Sequence, residues 1–175
     1  YQFVRPVHNL VVMFNQQVLN CSASGLTAND TTLGQRFRSQ APVKITHAAD
    51  YLAQIHSEGK VLAEFTARKN VIEQQLNSCA SELGLQISIM PGLLDEVTAL
   101  VEWPEVLVGE FDEKFLAVPQ ECLILSMAKN QKYFALLDAL GKLSNKFLFV
   151  ANLISKNPQV IIEGNQKVLT ARLAD

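Results

Sequence analysis

The sequence predicts a mixed α+β fold in which a β-sheet is packed by helices in layers. Three observations predict it. Strand-like apolar runs and helix-periodic segments intermingle along the chain without the regular βαβ repeat of a doubly wound sheet. Hydrophobic residues make up 49% and charged residues 18%, the balance of an ordinary globular chain. The length of 175 residues suits one domain that can bury well over half of its unfolded surface. There is no internal repeat and no low-complexity linker.

Leu10 to Phe14 and Val18-Leu19 flank Asn15-Gln16-Gln17, which predicts two short strands around a tight turn and a buried hairpin. Over 22–40 the composition shifts to Ser, Thr, Asn, Gly and Gln, the pattern of a long polar connection. It carries Arg36 and Arg38, and loops of that length inside a compact domain often serve function. Val43 to Ile45 reads as a strand. Thr46 is placed to cap a helix over 48–57, with Asp50 near its positive end and Gly59 closing it. Lys60 to Ala63 could form a short strand. Over 64–83, Phe65, Val71, Ile72, Leu76, Cys79, Ala80 and Leu83 fall largely on one helical face, and Gly84 ends the helix.

Leu85, Ile87 and Ile89 alternate with Gln86 and Ser88, a half-buried strand closed by Pro91-Gly92. A helix is expected over 93–101 and a strand over 106–111, with Gly109 as a candidate bulge. Behind Pro119 a helix runs over 121–128. Strands are expected at 133–137 and 147–153, joined through Gly141. The last helix starts near Val160 or Gly164, with Val168, Leu169 and Leu173 as its buried stripe. If it starts at Gly164, the exposed N–H groups of Gly164 and Asn165 make an anion site.

The formal net charge is −2 and the pI about 5.9. A domain that held nucleic acid mainly by phosphate neutralisation would usually be basic, so any RNA contact must be local or shared with other parts of a larger protein. Cys21, Cys79 and Cys122 match neither a metal-ligand spacing nor a disulfide framework; reduced, mostly buried thiols are expected. No apolar run approaches the length of a membrane span and no signal peptide opens the chain, so a soluble, cytoplasmic protein is expected.

Catalytic chemistry has no visible local home. Neither GxxxxGK[ST] nor GxGxxG occurs. His8, His47 and His56 lack the i, i+4 spacing of a helical zinc pair, and satisfied or exposed histidines are the plainer reading. Asp95, Glu96 and Glu102 read as the solvated edge of a helix. Trp103-Pro104 ends that helix, since the residue before proline leaves the α region, and Trp103 suits a core or rim anchor. No catalytic and no metal-ligating residue is assigned.

Lys129, Asn130, Gln131, Lys132 and Tyr133 form the one compact set that mixes cations, amides and an aromatic ring, groups that suit RNA. The plainer reading of the same residues, which chemistry alone favours, is a helix-to-strand junction with lysines in water and Tyr133 half buried. Arg36 and Arg38 flank Phe37 and could clamp a phosphate or carboxylate. Arg36, Arg38, Lys129 and Lys132 are therefore the candidate RNA contacts, whereas Arg68 and Lys69 on the long helix read as a solvated face.

Several motifs occur in a fixed order: TTLGQRF at 31–37, LLDEVTALVEWP at 93–104, FxxxFLAVP at 111–119, NQKYF at 130–134 and GNQKVLTARLAD at 164–175. In this order they resemble the β subunit of the bacterial two-subunit (α2β2) glycyl-tRNA synthetase, and the resemblance covers essentially the whole chain. The family chain is several times longer, which implies that 1–175 is a single domain excised from inside a longer subunit, its last helix, about 160–175, free to run on into the next domain. The region it resembles is similar to the B3/B4 domain of the phenylalanyl-tRNA synthetase β chain.

In that family the glycine- and ATP-binding centre lies on the separate α subunit, while the β subunit serves tRNA recognition and assembly. The resemblance thus implies a non-catalytic part of an enzyme that ligates glycine to tRNA(Gly). ATP, with magnesium, would serve the holoenzyme and no cofactor this region. The implied partners are the α subunit, the remaining β-subunit domains and tRNA(Gly), with no membrane. Two other classes stay in view, an editing-type hydrolase related to B3/B4 domains and a pure protein-interaction scaffold. Histidine is common in the family where this chain has Gln35 and Asn130, and glutamate where it has Gln166. Neutral amides at these positions argue against essential proton transfer there, while hydrogen bonding survives.

Overall fold

The computed structural model describes residues 7–39, 41–152 and 157–174. The chain divides into two compact units, Tyr1–Glu64 and Phe65–Asp175.

The first unit is built from two-residue strands. β1 (Met13–Phe14) and β2 (Gln17–Val18) pair antiparallel across Asn15-Gln16, where Asn15 takes a φ of 54°, a conformation its short polar side chain tolerates. This hairpin is not buried as a whole: Met13 packs toward Val43, Ile45 and Ile55, but Phe14 is 66% exposed. The expected polar connection also carries structure. β3 (Ser22–Ala23) and β4 (Leu26–Thr27) form a second hairpin over Ser24-Gly25, both at positive φ, the geometry that matches the right-handed twist of paired strands. β5 (Thr31–Thr32) pairs with β6 (Val43–Lys44), so part of the expected connection is strand.

The helix cap falls one residue later than expected. His47 Nδ1 accepts the N–H of Ala49 at 3.0 Å and starts a 3-10 turn, Ala48–Asp50, that runs into α1 (Tyr51–Ser57). Thr46 instead donates its N–H to Gln54 Oε1 at 3.1 Å. Residues 60–63 form no strand.

The second unit has three layers. Its elements are α2 (Phe65–Glu82), β7 (Gln86–Ile87), α3 (Leu93–Leu100), β8 (Glu105–Glu110), α4 (Gln120–Ser126), β9 (Phe134–Leu137), β10 (Leu143–Ala151) and α5 (Pro158–Ala174). The four strands make one antiparallel sheet in the order β7-β9-β10-β8. Side chains alternate between its faces. Phe134, Leu136, Leu148 and Val106 meet Ile72, Leu76 and Ala80 of α2 and Leu93 and Val97 of α3. Ala135, Phe147 and Phe149 meet Leu123 and Leu169, from α4 and α5, and Phe115. Burial on both faces explains why these strands read as unbroken apolar runs.

Several details differ from the sequence-based expectations. β7 is short and Ile89 is 88% exposed, because the chain turns at Pro91-Gly92 before a third inward position. Gly109 is not a bulge. It pairs in register with Phe147, whose ring lies where a Cβ would be, two ring carbons only 2.8 Å from it; the strand glycine marks a close approach. The irregularity lies in β10, between Leu143 and Phe147. β10 also starts earlier than expected, because Asp138 Oδ1 accepts the N–H groups of Leu140 and Lys142 and closes a tight hairpin. α5 starts at Pro158, a residue pre-organised for the first helical position. Gly164 and Asn165 are therefore mid-helix and offer no anion site. Val168 is half exposed, while Leu169 is fully buried.

Candidate nucleic-acid contact residues

In the first unit the loop after β5 is pinned at Gly34-Gln35. The Gln35 N–H donates to the Gly59 carbonyl at 2.7 Å, and a Cβ on Gly34 would collide with the backbone of Gly59 and the side chain of Ser39. Gln35 is 2% exposed. Its Oε1 accepts the Phe37 N–H at 2.9 Å, and its carbonyl accepts the N–H groups of Arg38 and Ser39. This buried amide holds the turn that pushes Arg36 and Phe37 outward. The Arg36 guanidinium lies 5.7 Å from the centre of the Phe37 ring, and that ring is 68% exposed. A cleft of about 630 Å³ runs beside them, lined by His8, Leu33, Gly34, Gln35, Arg36 and Pro42 among others. Arg38 borders a smaller hollow with Glu58 and Lys60.

In the second unit α4 does not end where its apolar pattern does. It widens into a π-helical turn, Met127–Gln131, a form often found at functional sites. Lys132 ends it at a φ of 61°. The turn exposes Lys129 and Asn130, and Asn130 Nδ2 donates to Ser126 Oγ at 3.3 Å. Lys132 turns back instead: its ammonium lies 2.8 Å from Glu96 Oε1 and donates to the Lys129 carbonyl at 2.9 Å.

Tyr133 is 5% exposed, more buried than expected, and stacks on Phe147 with ring centres 4.8 Å apart. Its hydroxyl donates to Asn165 Oδ1 at 2.6 Å, and burial pushes its pKa up to about 12. A ring packed this way is not free to stack on a base. The expected mixed cluster thus separates into an outward pair, Lys129 and Asn130, a turned-back Lys132 and a core tyrosine.

The carboxylates of α3 are engaged: Asp95 pairs with Lys69 at 2.6 Å and Glu96 with Lys132. Arg68 and Lys69 are more than a solvated face. Arg68 Nε donates to the Thr98 carbonyl at 2.9 Å, so both residues tie α2 to α3, a pairing visible only once the helices are side by side. Trp103 sits half buried at the rim, its backbone N–H donating to Asn152 Oδ1.

The cysteines are less buried than expected. Cys21 precedes a surface hairpin and Cys122 lies on the outer face of α4, both exposed, while Cys79 is intermediate. Burial foremost, then Glu82, pushes the Cys79 thiol up, away from the thiolate a nucleophile needs. Of the histidines, His47 is a cap, His56 is exposed on α1 and His8 borders the cleft. Among the described residues no three His, Cys, Asp or Glu side chains converge where they could hold a metal ion, and no helix is long and apolar enough to cross a membrane.

A sequence model of the glycyl-tRNA synthetase beta subunit family matches residues 1–175, the full length of the chain. The chain belongs to the glycyl-tRNA synthetase β subunit family. Similar members include the glycine–tRNA ligase beta subunit of Neisseria meningitidis serogroup C (strain 053442), 52% identical over all of this chain and 26% of its own length. The beta subunits of Ralstonia nicotianae (strain GMI1000) and Methylobacillus flagellatus (strain KT) are 50% and 48% identical over 99% of this chain and 25% of theirs. The chain thus spans about a quarter of the length of the curated relatives it matches. In this glycyl-tRNA synthetase β subunit family member, segment 31–37 carries the buried Gln35 amide that accepts the Phe37 N–H, and segment 130–134 carries the Lys132 ammonium that donates to the Lys129 carbonyl.

Proposed function

We propose that this chain is a B3/B4-like, non-catalytic region of a glycyl-tRNA synthetase β subunit that helps recognise tRNA(Gly) and assemble the enzyme. The holoenzyme would ligate glycine to tRNA(Gly) at the expense of ATP. The observation that carries this reading is the family match over the full chain. The reading assigns ATP and magnesium to the holoenzyme, with the glycine- and ATP-binding centre on the α subunit, as the family resemblance implies. Its partners would be the α subunit, the rest of the β subunit and tRNA(Gly).

Within this reading Arg36 and Arg38 in one unit and Lys129 and Lys132 in the other are the cations that serve RNA contact. Support comes from the exposure of Arg36 and Lys129 and from the outward amide of Asn130, the kind of group that meets unpaired base edges. The test is a full two-subunit enzyme in which all four are replaced by Gln or Met. Its KM for tRNA should rise several-fold while ATP-dependent glycine activation stays unchanged. Unaltered tRNA kinetics in a folded variant would remove the RNA-contact assignment and leave the scaffold reading.

A further inference from the structure

Lys132 makes two contacts at once, and both point inward along the protein surface. Its ammonium pairs with Glu96 on α3 at 2.8 Å and donates to the Lys129 carbonyl at 2.9 Å. The backbone at Lys132 is left-handed, with φ at 61°, a conformation that costs a lysine free energy and persists because the surroundings determine it. The residue after it is fixed too: the Tyr133 N–H donates to the Met127 carbonyl at 3.0 Å, and its ring and hydroxyl are locked in the core. The π turn is therefore fixed from its C-terminal end, by the Tyr133 backbone on Met127 and by the Lys132 side chain on Lys129. Within it Lys129 and Asn130 are exposed.

We propose that Lys132 and Glu96 are positioning residues for RNA contact, forming a clamp that shapes the π turn so that Lys129 and Asn130 meet the tRNA. The proposal rests on the RNA-recognition reading above and narrows it. Lys129 supplies the phosphate-facing charge, Asn130 the amide, and Lys132 touches protein. Glu96 acts through Lys132, which explains why a carboxylate stands beside a surface meant for a polyanion: it neutralises the clamp lysine and leaves Lys129 as the charge presented outward.

The sign of one substitution separates this from direct contact by Lys132. The full two-subunit enzyme would be assayed for KM and kcat in tRNA charging, with ATP-dependent glycine activation and thermal unfolding as controls for folding. If Lys132 binds phosphate itself, E96Q frees it and removes a repelling charge, so the KM for tRNA falls. If Lys132 is a clamp, E96Q loosens the turn and the KM rises, by roughly two- to five-fold given the modest strength of an exposed ion pair. K132M should match E96Q, and K132R, which keeps the charge and donors, should restore most of the loss. K129A should raise the KM at least as much. A lower KM in E96Q overturns the clamp, and so does an unchanged KM in E96Q where K129A still has its effect. If K129A, E96Q and K132M all leave tRNA kinetics unchanged, the clamp falls together with the RNA-recognition reading beneath it.

Discussion

The Tyr133 hydroxyl donates to Asn165 Oδ1 at 2.6 Å, while Asn165 Nδ2 donates to the Ile161 carbonyl at 2.8 Å. The second bond orients the amide so that its oxygen meets the tyrosine. The pair joins the end of the π turn to the middle of α5 inside a core of Phe147, Phe149 and Leu169. In Y133F the half-buried Asn165 oxygen loses its protein donor, a change that costs about 0.5–1.5 kcal/mol. Urea unfolding of the purified chain should show that loss, and a cost within error of zero would mean that the bond is not maintained in solution.

The same tyrosine predicts a pH dependence. Burial raises its pKa from 10 to about 12, so above pH 10 the unfolded chain releases this proton before the folded chain does. Stability from this group is full below about pH 10 and is lost as pH rises toward 12. The difference in unfolding free energy between the native chain and Y133F should shrink across that window. A difference that stays level from pH 9 to 12 would contradict a buried, neutral phenol.

Gly109 and Phe147 make the sharpest packing prediction. The Phe147 ring occupies the space of a Cβ at position 109 and cannot retreat, because it is fully buried against Tyr133 and Phe149. G109A should destabilise the chain by about 1–3 kcal/mol as an overpacked core. Combining it with F147L should recover part of that loss, whereas additive losses in the double variant would place the strain elsewhere.

The cysteines should react in an order set by exposure. Cys21 and Cys122 are exposed, whereas Cys79 is partly covered and its thiol is pushed up by burial and by Glu82. At neutral pH iodoacetamide should label Cys21 and Cys122 before Cys79, read by peptide mass spectrometry. Early labelling of Cys79 would point to an activated thiol and revive a hydrolase.

Gly109 also shows where reading the sequence stops. A glycine in a strand marks either a bulge or a close approach, and the choice depends on Phe147, which arrives from another strand. The strands around it were legible because a sheet buried on both faces leaves long apolar runs. In the first unit β1 to β6 have two residues each, too few for alternation to register, so the Ser24-Gly25 hairpin was hidden in a polar stretch. Thr46 and His47 are both able to cap, and only the fold decides between them. The sequence places the start of α5 near Val160 or Gly164, whereas the helix begins at Pro158. At the candidate site the residue types were legible at Arg36, Arg38, Lys129 and Lys132. Their separation into outward and turned-back groups was not, since the π turn has no local signature and Glu96 reaches Lys132 from a different helix.

Salt dependence offers the most direct measure of how many of these cations meet phosphate. Each phosphate neutralised by a lysine or arginine releases condensed counterions, so the logarithm of affinity falls with the logarithm of salt by roughly 0.7 to 0.9 for each contact. With a net charge of −2 the isolated chain should bind tRNA weakly and lose that binding steeply as salt rises. In the two-subunit enzyme, K129A should lower the slope by about one contact. K132M, whose lysine is already paired with Glu96, should weaken binding while leaving the slope within error of the native value. Equal changes in slope for the two variants would count Lys132 among the phosphate contacts and make Glu96 a competitor of the RNA.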